Sequence, residues 1–166
     1  MKARAFGFSV AAIVFVLDQL TKWLMIGPLQ LQAARQIYVL PFFNLSWTEN
    51  RGISLGFFPA TSSSAAWMLI AITSAIALGV AYWIGREKER GDQLALGMVL
   101  GGALGNILDR TRFGYVVDFA DLHFGDFRPF LVFNVADAAI SIGVVILLLR
   151  AFLAGRKQPE ETIEHA

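Results

Sequence analysis

Two aspartates make the strongest chemical suggestion in this 166-residue chain. Asp118 stands in Val116-Val117-Asp118-Phe119-Ala120, a carboxylate with apolar residues on both sides, and Asp137 follows far enough along the chain for two elements to fold back and meet. If they meet, like-charge repulsion and a poor dielectric raise one pKa, so that the pair holds one proton between them. The protonated member then polarises a peptide carbonyl while the ionised one draws a proton from water. That is aspartic-protease chemistry, and it needs neither a metal nor a nucleophilic side chain. Spacing alone leaves a pair of structural carboxylates as the alternative.

Other polar groups recur at helical spacing. Asp18 and Lys22 are four residues apart, so they share a helix face and can neutralise each other as a structural ion pair. Asn106, Asp109 and Arg110 are related by i,i+3 and i,i+4, and Asn134 and Asp137 by i,i+3. A helix beginning at Pro129 would bury Asp137 about 12 Å from its outer end, a costly depth for an unpaired carboxylate.

The elements that must hold these groups follow from composition. The chain is 56% hydrophobic and 16% charged, with a mean hydropathy of +0.58, whereas a soluble globule carries about 25% charge. Disorder is excluded, because so much apolar surface demands burial. With no cysteine there is no disulfide, cysteine-ligated metal or cysteine nucleophile. A net charge of +1 gives no basic field for nucleic acid. The surplus apolar surface must therefore face membrane lipid.

The reading is an all-α membrane protein, one integral-membrane domain over 1–166, with four transmembrane helices at 5–26, 65–85, 93–109 and 130–150 and a small β-sheet or extended segment on the outer face. Lys2 and Arg4, then Arg86, Lys88 and Arg90, then Arg150, Arg156 and Lys157 flank the runs on one side. The positive-inside rule makes that side cytoplasmic, together with both termini and a solvated tail over 151–166. Segments 27–64 and 110–129 then lie outside. Trp23, Trp67 and Trp83 fall near run ends, as interfacial anchors do. A basic start and an apolar run also fit a cleaved signal peptide, but Asp18 and Lys22 interrupt the stretch where a small-residue cleavage site should follow.

In the outer segment, residues 43–48 and 53–57 alternate with period two around Glu49-Asn50-Arg51-Gly52, and Tyr115–Phe124 forms a further extended stretch. A small sheet is expected, its apolar side on lipid or the helix ends and its edge open to an added peptide strand. Gly97, Gly101 and Gly105 repeat every four residues, as do Ala71, Ala75 and Gly79; both rows read as helix-packing ridges.

Rival chemistries fit less well. Gly52-Ile53-Ser54-Leu55-Gly56 spells G-x-S-x-G and could be combined with His123, but a nucleophile elbow needs a strand turning into a helix, and strand-like alternation continues here. Nothing in the sequence places Lys22 beside a serine as a general base. A metalloprotease would have only His123 and His165 and no H-E-x-x-H. A channel would spread polar groups through the membrane, whereas Asp18, Lys22, Asn106, Asp109, Asn134 and Asp137 all map to the outer half.

Five blocks, in order, resemble the bacterial lipoprotein signal peptidases, or signal peptidase II. They are Asp18-Gln-Leu-Thr21-Lys22, Asn50-Arg51-Gly52-Ile53-Ser54, Gly101-Gly102-Ala-Leu-Gly105-Asn106-Ile-Leu-Asp109-Arg110, Val117-Asp118-Phe119 and Phe133-Asn134-Val135-Ala136-Asp137. The resemblance implies a four-helix aspartic endopeptidase of the inner membrane, with its site near the periplasmic leaflet. Such an enzyme removes signal peptides from prolipoproteins, cutting before a cysteine that already carries diacylglycerol. Asp118 and Asp137 correspond to the catalytic pair. Asn50, Asn106, Arg110 and Asn134 match positions lining the site, and Asp18 and Lys22 fall in the first-helix motif as supporting residues. No metal or cofactor is implied. The expected partners are the lipid-modified precursor and membrane lipid, with the chain acting as a monomer.

Overall fold

The computed structural model describes residues 2–52 and 63–155. In chain order these form α1 (Lys2–Ile26), α2 (Leu31–Ala34), β1 (Gln36–Leu40), β2 (Phe43–Asn50), α3 (Ser63–Arg86), α4 (Arg90–Phe113), β3 (Val116–Leu122) and α5 (Val135–Gly155). Within α1, α3 and α5, the stretches Ala5–Ile26, Ala66–Arg86 and Val135–Ala154 are long and apolar enough to cross a membrane. The protein is therefore a mostly helical membrane protein with a small sheet, and all-α describes only its helical layer.

The fourth long helix, α4, is less apolar than the other three because protein surrounds it. It packs against α1, α3 and α5, and its buried residues include Gln93, Asn106 and Asp109. A Cβ on Gly101 would strike the Ala11 carbonyl of α1, and one on Gly102 would strike the Ala136 carbonyl of α5, so two backbones approach α4 from different sides. The expected ridge on α3 fails. Ala71, Ala75 and Gly79 are exposed, and α3 instead buries Leu69, Ala77 and Ile84. A row of small residues shows that a close approach is possible, not which face makes it. Trp23, Trp67 and Trp83 are exposed, as a lipid-interface belt requires.

The sheet has the antiparallel order β1-β2-β3. The period-two pattern at 43–48 lies in β2, which pairs with β1 and β3; residues 53–57, with Ser54, lie outside the described residues, as do His165 and the tail over 156–166. Between β2 and β3 the register shifts, with Leu45 opposite Ala120 but Thr48 opposite Asp118. The extra residue on β2 bends the strand and re-aims the side chains beyond it. On one side the sheet meets the helix ends: Trp47, Val117, Phe119 and Ala120 pack with Met25 and Leu31. Burying one such large side chain contributes about 1.5–3 kcal/mol. The edge of β3 is already occupied, since Phe133 exchanges backbone hydrogen bonds with Ala120 at 3.0 and 2.7 Å.

That exchange corrects the fourth span. Residues 130–133 do not begin a helix, because the Phe133 amide and carbonyl are committed to β3. Asn134 accepts the Asp137 N–H on its side-chain oxygen at 2.9 Å, an N-cap three residues ahead of its partner, and α5 starts at Val135. Asp137 thus stands in the first turn of α5, not about 12 Å inside it.

Candidate active site

One side chain joins the two aspartates. The Asn134 Nδ2 donates to Asp118 Oδ1 at 2.6 Å, while the Asn134 Oδ1 accepts from the Asp137 backbone. Local structure dictates both placements: β3 carries Asp118 opposite Thr48 of β2, and the N-cap carries Asn134 at the head of α5. Asn50, the last residue of β2, donates to Asp118 Oδ2 at 3.1 Å. Its own oxygen accepts from Gly52 N–H at 3.2 Å, which fixes the amide with its NH2 toward the carboxylate. Asn106 of α4 donates to Asp137 Oδ1 at 2.9 Å. The second Asp137 oxygen has no hydrogen-bond partner among the described residues.

Burial, then the neighbouring Asp137 carboxylate, push the Asp118 carboxyl from its ordinary 3.8 up to about 7. The amides of Asn50 and Asn134, and the more distant Lys22, pull the other way without cancelling this. Arg110 supplies a guanidinium within electrostatic reach: its Nη2 donates to Gly52 O at 3.0 Å, and Asp137, Asp118 and Asp109 attract it.

A cavity of about 1150 Å³ opens beside this group. Asp137, Ala138, Ser141 and Ile142 of α5 form one wall and residues 129–133 another; Arg35, Gln36, Ser46, Asp121 and Arg128 form a polar end. Asp137 lines the cavity, whereas Asp118 is 2% exposed and sits behind it. A half-buried carboxylate on the cavity wall, next to a buried one that keeps its proton near neutrality, can do general acid–base work on a peptide lying in the cavity.

Asp18 and Lys22 do not touch the pair. They form a separate buried cluster in which Lys22 Nζ lies 2.9 Å from Asp18 Oδ2, 2.7 Å from Asp109 Oδ2 and 3.1 Å from Asn106 Oδ1. Gln19 ties this cluster together, donating to both Asp18 and Asp109 at 3.1 Å. Asp109 was visible in sequence as sharing a face with Asn106, but its role as a second partner of Lys22 was not. No sequence signal singled out Gln19 or the cavity's polar end. His123 pairs with Asn44 at 2.8 Å on the sheet, with neither aspartate as its partner.

A family model described as signal peptidase (SPase) II matches residues 10–153, a stretch that holds every candidate side chain above. The chain belongs to the signal peptidase II family. It is accordingly a membrane peptidase of lipoprotein processing. A protein named lipoprotein signal peptidase from Sphingopyxis alaskensis is 57% identical over 152 residues, covering 92% of this chain and 88% of the relative. One of the same name from Rhizorhabdus wittichii is 56% identical over 162 residues, covering 97% and 94%. A bacterial membrane enzyme solved by the in meso method at 2.3 Å resolution superposes with a TM-score of 0.80 at 25% identity, covering 95% of this chain and 94% of that one.

Proposed function

We propose that this signal peptidase II is an aspartic endopeptidase of the bacterial inner membrane. It removes signal peptides from diacylglyceryl-modified prolipoproteins by cutting before the lipidated cysteine. The observation that carries this reading is the convergence of Asp118 and Asp137 on one amide, Asn134, beside a largely apolar cavity.

Proton transfer accounts for the chemistry. The ionised carboxyl of the pair takes a proton from water as the hydroxyl oxygen bonds to the scissile carbonyl carbon. The protonated carboxyl gives its proton to the carbonyl oxygen, so the tetrahedral species is neutral. The carboxyl now protonated gives its proton to the amide nitrogen as the C–N bond breaks, while the ionised one takes a proton from a hydroxyl of the tetrahedral species, leaving a free amine, a carboxylic acid and the dyad with its one proton. Asn50, Asn106 and Asn134 orient the carboxylates, and Arg110 balances their charge. No metal or cofactor takes part.

The membrane setting follows from the same residues. α4, enclosed by α1, α3 and α5, acts as a fourth span despite its lower apolarity, and its 24 residues are about 36 Å long. The basic flanks put both termini in the cytoplasm and the dyad near the periplasmic leaflet. The chain acts as a monomer in this reading.

The test is cleavage in bilayers of a diacylglyceryl-modified precursor and its unmodified counterpart, with the new N-terminus mapped. Cleavage of the modified form alone, directly before its cysteine, is expected. Equal cleavage of both forms, or a cut elsewhere, would overturn the substrate assignment.

A further inference from the structure

Lys22 is fully buried, lies off the cavity wall and has no part in the proton transfers above. An ammonium has three donors and no acceptor, and here all three are used: on Asp18 Oδ2, on Asp109 Oδ2 and on Asn106 Oδ1. The third contact has a consequence. A group that can only donate must face the amide oxygen of Asn106, which Asn134 Nδ2 meets more loosely at 3.3 Å, so the NH2 of that amide is turned toward Asp137, where it donates at 2.9 Å.

The two carboxylates around Lys22 extend this control to the backbone. Asp18 Oδ1 accepts the N–H of Ala136, the residue before Asp137, at 3.0 Å. Asp109 Oδ2 accepts the N–H of Val117, the residue before Asp118, at 3.1 Å. A single cation thus holds three acceptors, each of which grips the amide orientation or the chain next to one member of the dyad.

We propose that Lys22 is a positioning residue for the aspartate pair, acting through Asn106 to keep a hydrogen-bond donor on Asp137 and through Asp18 and Asp109 to set the spacing of the two carboxylates. The proposal rests on the aspartic reading above. It differs from a purely structural ion pair in one respect: removing Lys22 changes how the remaining folded enzyme titrates, because the Asn106 amide can then turn its oxygen toward Asp137. The charged groups that bear on this titration are Asp18 on α1, Asp109 and Arg110 on α4, Asp118 and Asp121 on β3, and Arg35 and Arg128 at the cavity's polar end. Lys22 is among the groups that hold the Asp118 pKa down, so its loss raises that pKa and moves the alkaline limb of activity, where the protonated carboxyl is lost, to higher pH.

The experiment is the pH profile of kcat/KM for a lipidated precursor in bilayers, per folded enzyme, for wild type, Lys22→Met, Asn106→Asp and the double variant. Asn106→Asp keeps a carboxylate oxygen on Lys22 and preserves the shape, but it replaces the donor facing Asp137 with an acceptor. The expected result for Lys22→Met is a fall in kcat of about 100-fold with KM little changed, since a small misplacement of reacting groups is costly and Lys22 does not meet substrate. Its alkaline limb should move up by about one pH unit, with a larger shift in Asn106→Asp, where a further negative charge lies beside the pair. The double variant should shift no further than Asn106→Asp, because the two residues act in series.

A Lys22→Met enzyme whose remaining activity keeps the wild-type limb overturns the proposal. If that variant does not fold, Asn106→Asp decides alone, and an unmoved limb there is equally fatal. Asp118→Asn and Asp137→Asn enzymes run in parallel separate this outcome from failure of the aspartic reading, which would appear as cleavage by those variants.

Discussion

Two pairs of aspartates lie near one end of the helix bundle, and the protein treats them in opposite ways. Asp18 and Asp109 share a lysine between them, and that ammonium has no donor left over. Asp118 and Asp137 are met by neutral amides, with Arg110 as the nearby cation. The first cluster is closed: its ammonium touches both carboxylates, and Asp18, Lys22 and Asp109 are all buried. In the second, no cation touches either carboxylate among the described residues, and the Asp118 carboxyl rises to about 7. Burial alone does not make a carboxylate reactive; what matters is whether a cation or a neutral dipole meets it, since a dipole can orient a carboxylate without discharging it.

The sharpest way to break this contrast is to unbalance the closed cluster. Asp109→Ala removes one partner of the Lys22 ammonium and the acceptor of Val117 N–H, and deleting one partner of a buried ion pair costs about 3–5 kcal/mol. Thermal unfolding in detergent should show a large drop in Tm. A Tm within a degree or two of wild type would mean that this cluster is not the closed ionic unit described.

The dyad should respond in the opposite direction. A folded-state pKa above the ordinary 3.8 means that the native state binds the proton more tightly than the unfolded chain, so stability falls as pH rises from about 4 through about 7. Asp118→Asn cannot ionise and escapes that loss. It gives up one amide contact in exchange, so a net gain of about 1–2 kcal/mol at pH 8, fading toward pH 4, is expected. Tm measured at both pH values checks this; a variant less stable than wild type at pH 8 would place Asp118 in the closed class.

The sequence showed this contrast unevenly. Spacing alone paired Asp18 with Lys22 and grouped Asn106 with Asp109, because i,i+3 and i,i+4 neighbours on a helix must share a face. The long apolar runs marked α1, α3 and α5. The start of α5 was misread because Phe130-Leu131-Val132-Phe133 is as apolar as a helix, though it forms the cavity wall and a bridge to β3. The signal that could have corrected it was Asn134, a capping residue three positions before an aspartate. β1 was not legible: five residues after a left-handed Arg35 carry little pattern, and tertiary pairing with β2 determines their conformation. Nor could any pattern show Lys22 reaching from α1 to Asn106 on α4, a contact that depends on how closely two helices approach.

The most direct test of the central claim is turnover of a lipidated precursor by Asp118→Asn and Asp137→Asn enzymes, each confirmed as folded and inserted. Both should lose at least about 10⁴-fold in kcat, as removal of an essential acid–base group does. If either variant cleaves at a rate near wild type, the two aspartates do not form the catalytic pair.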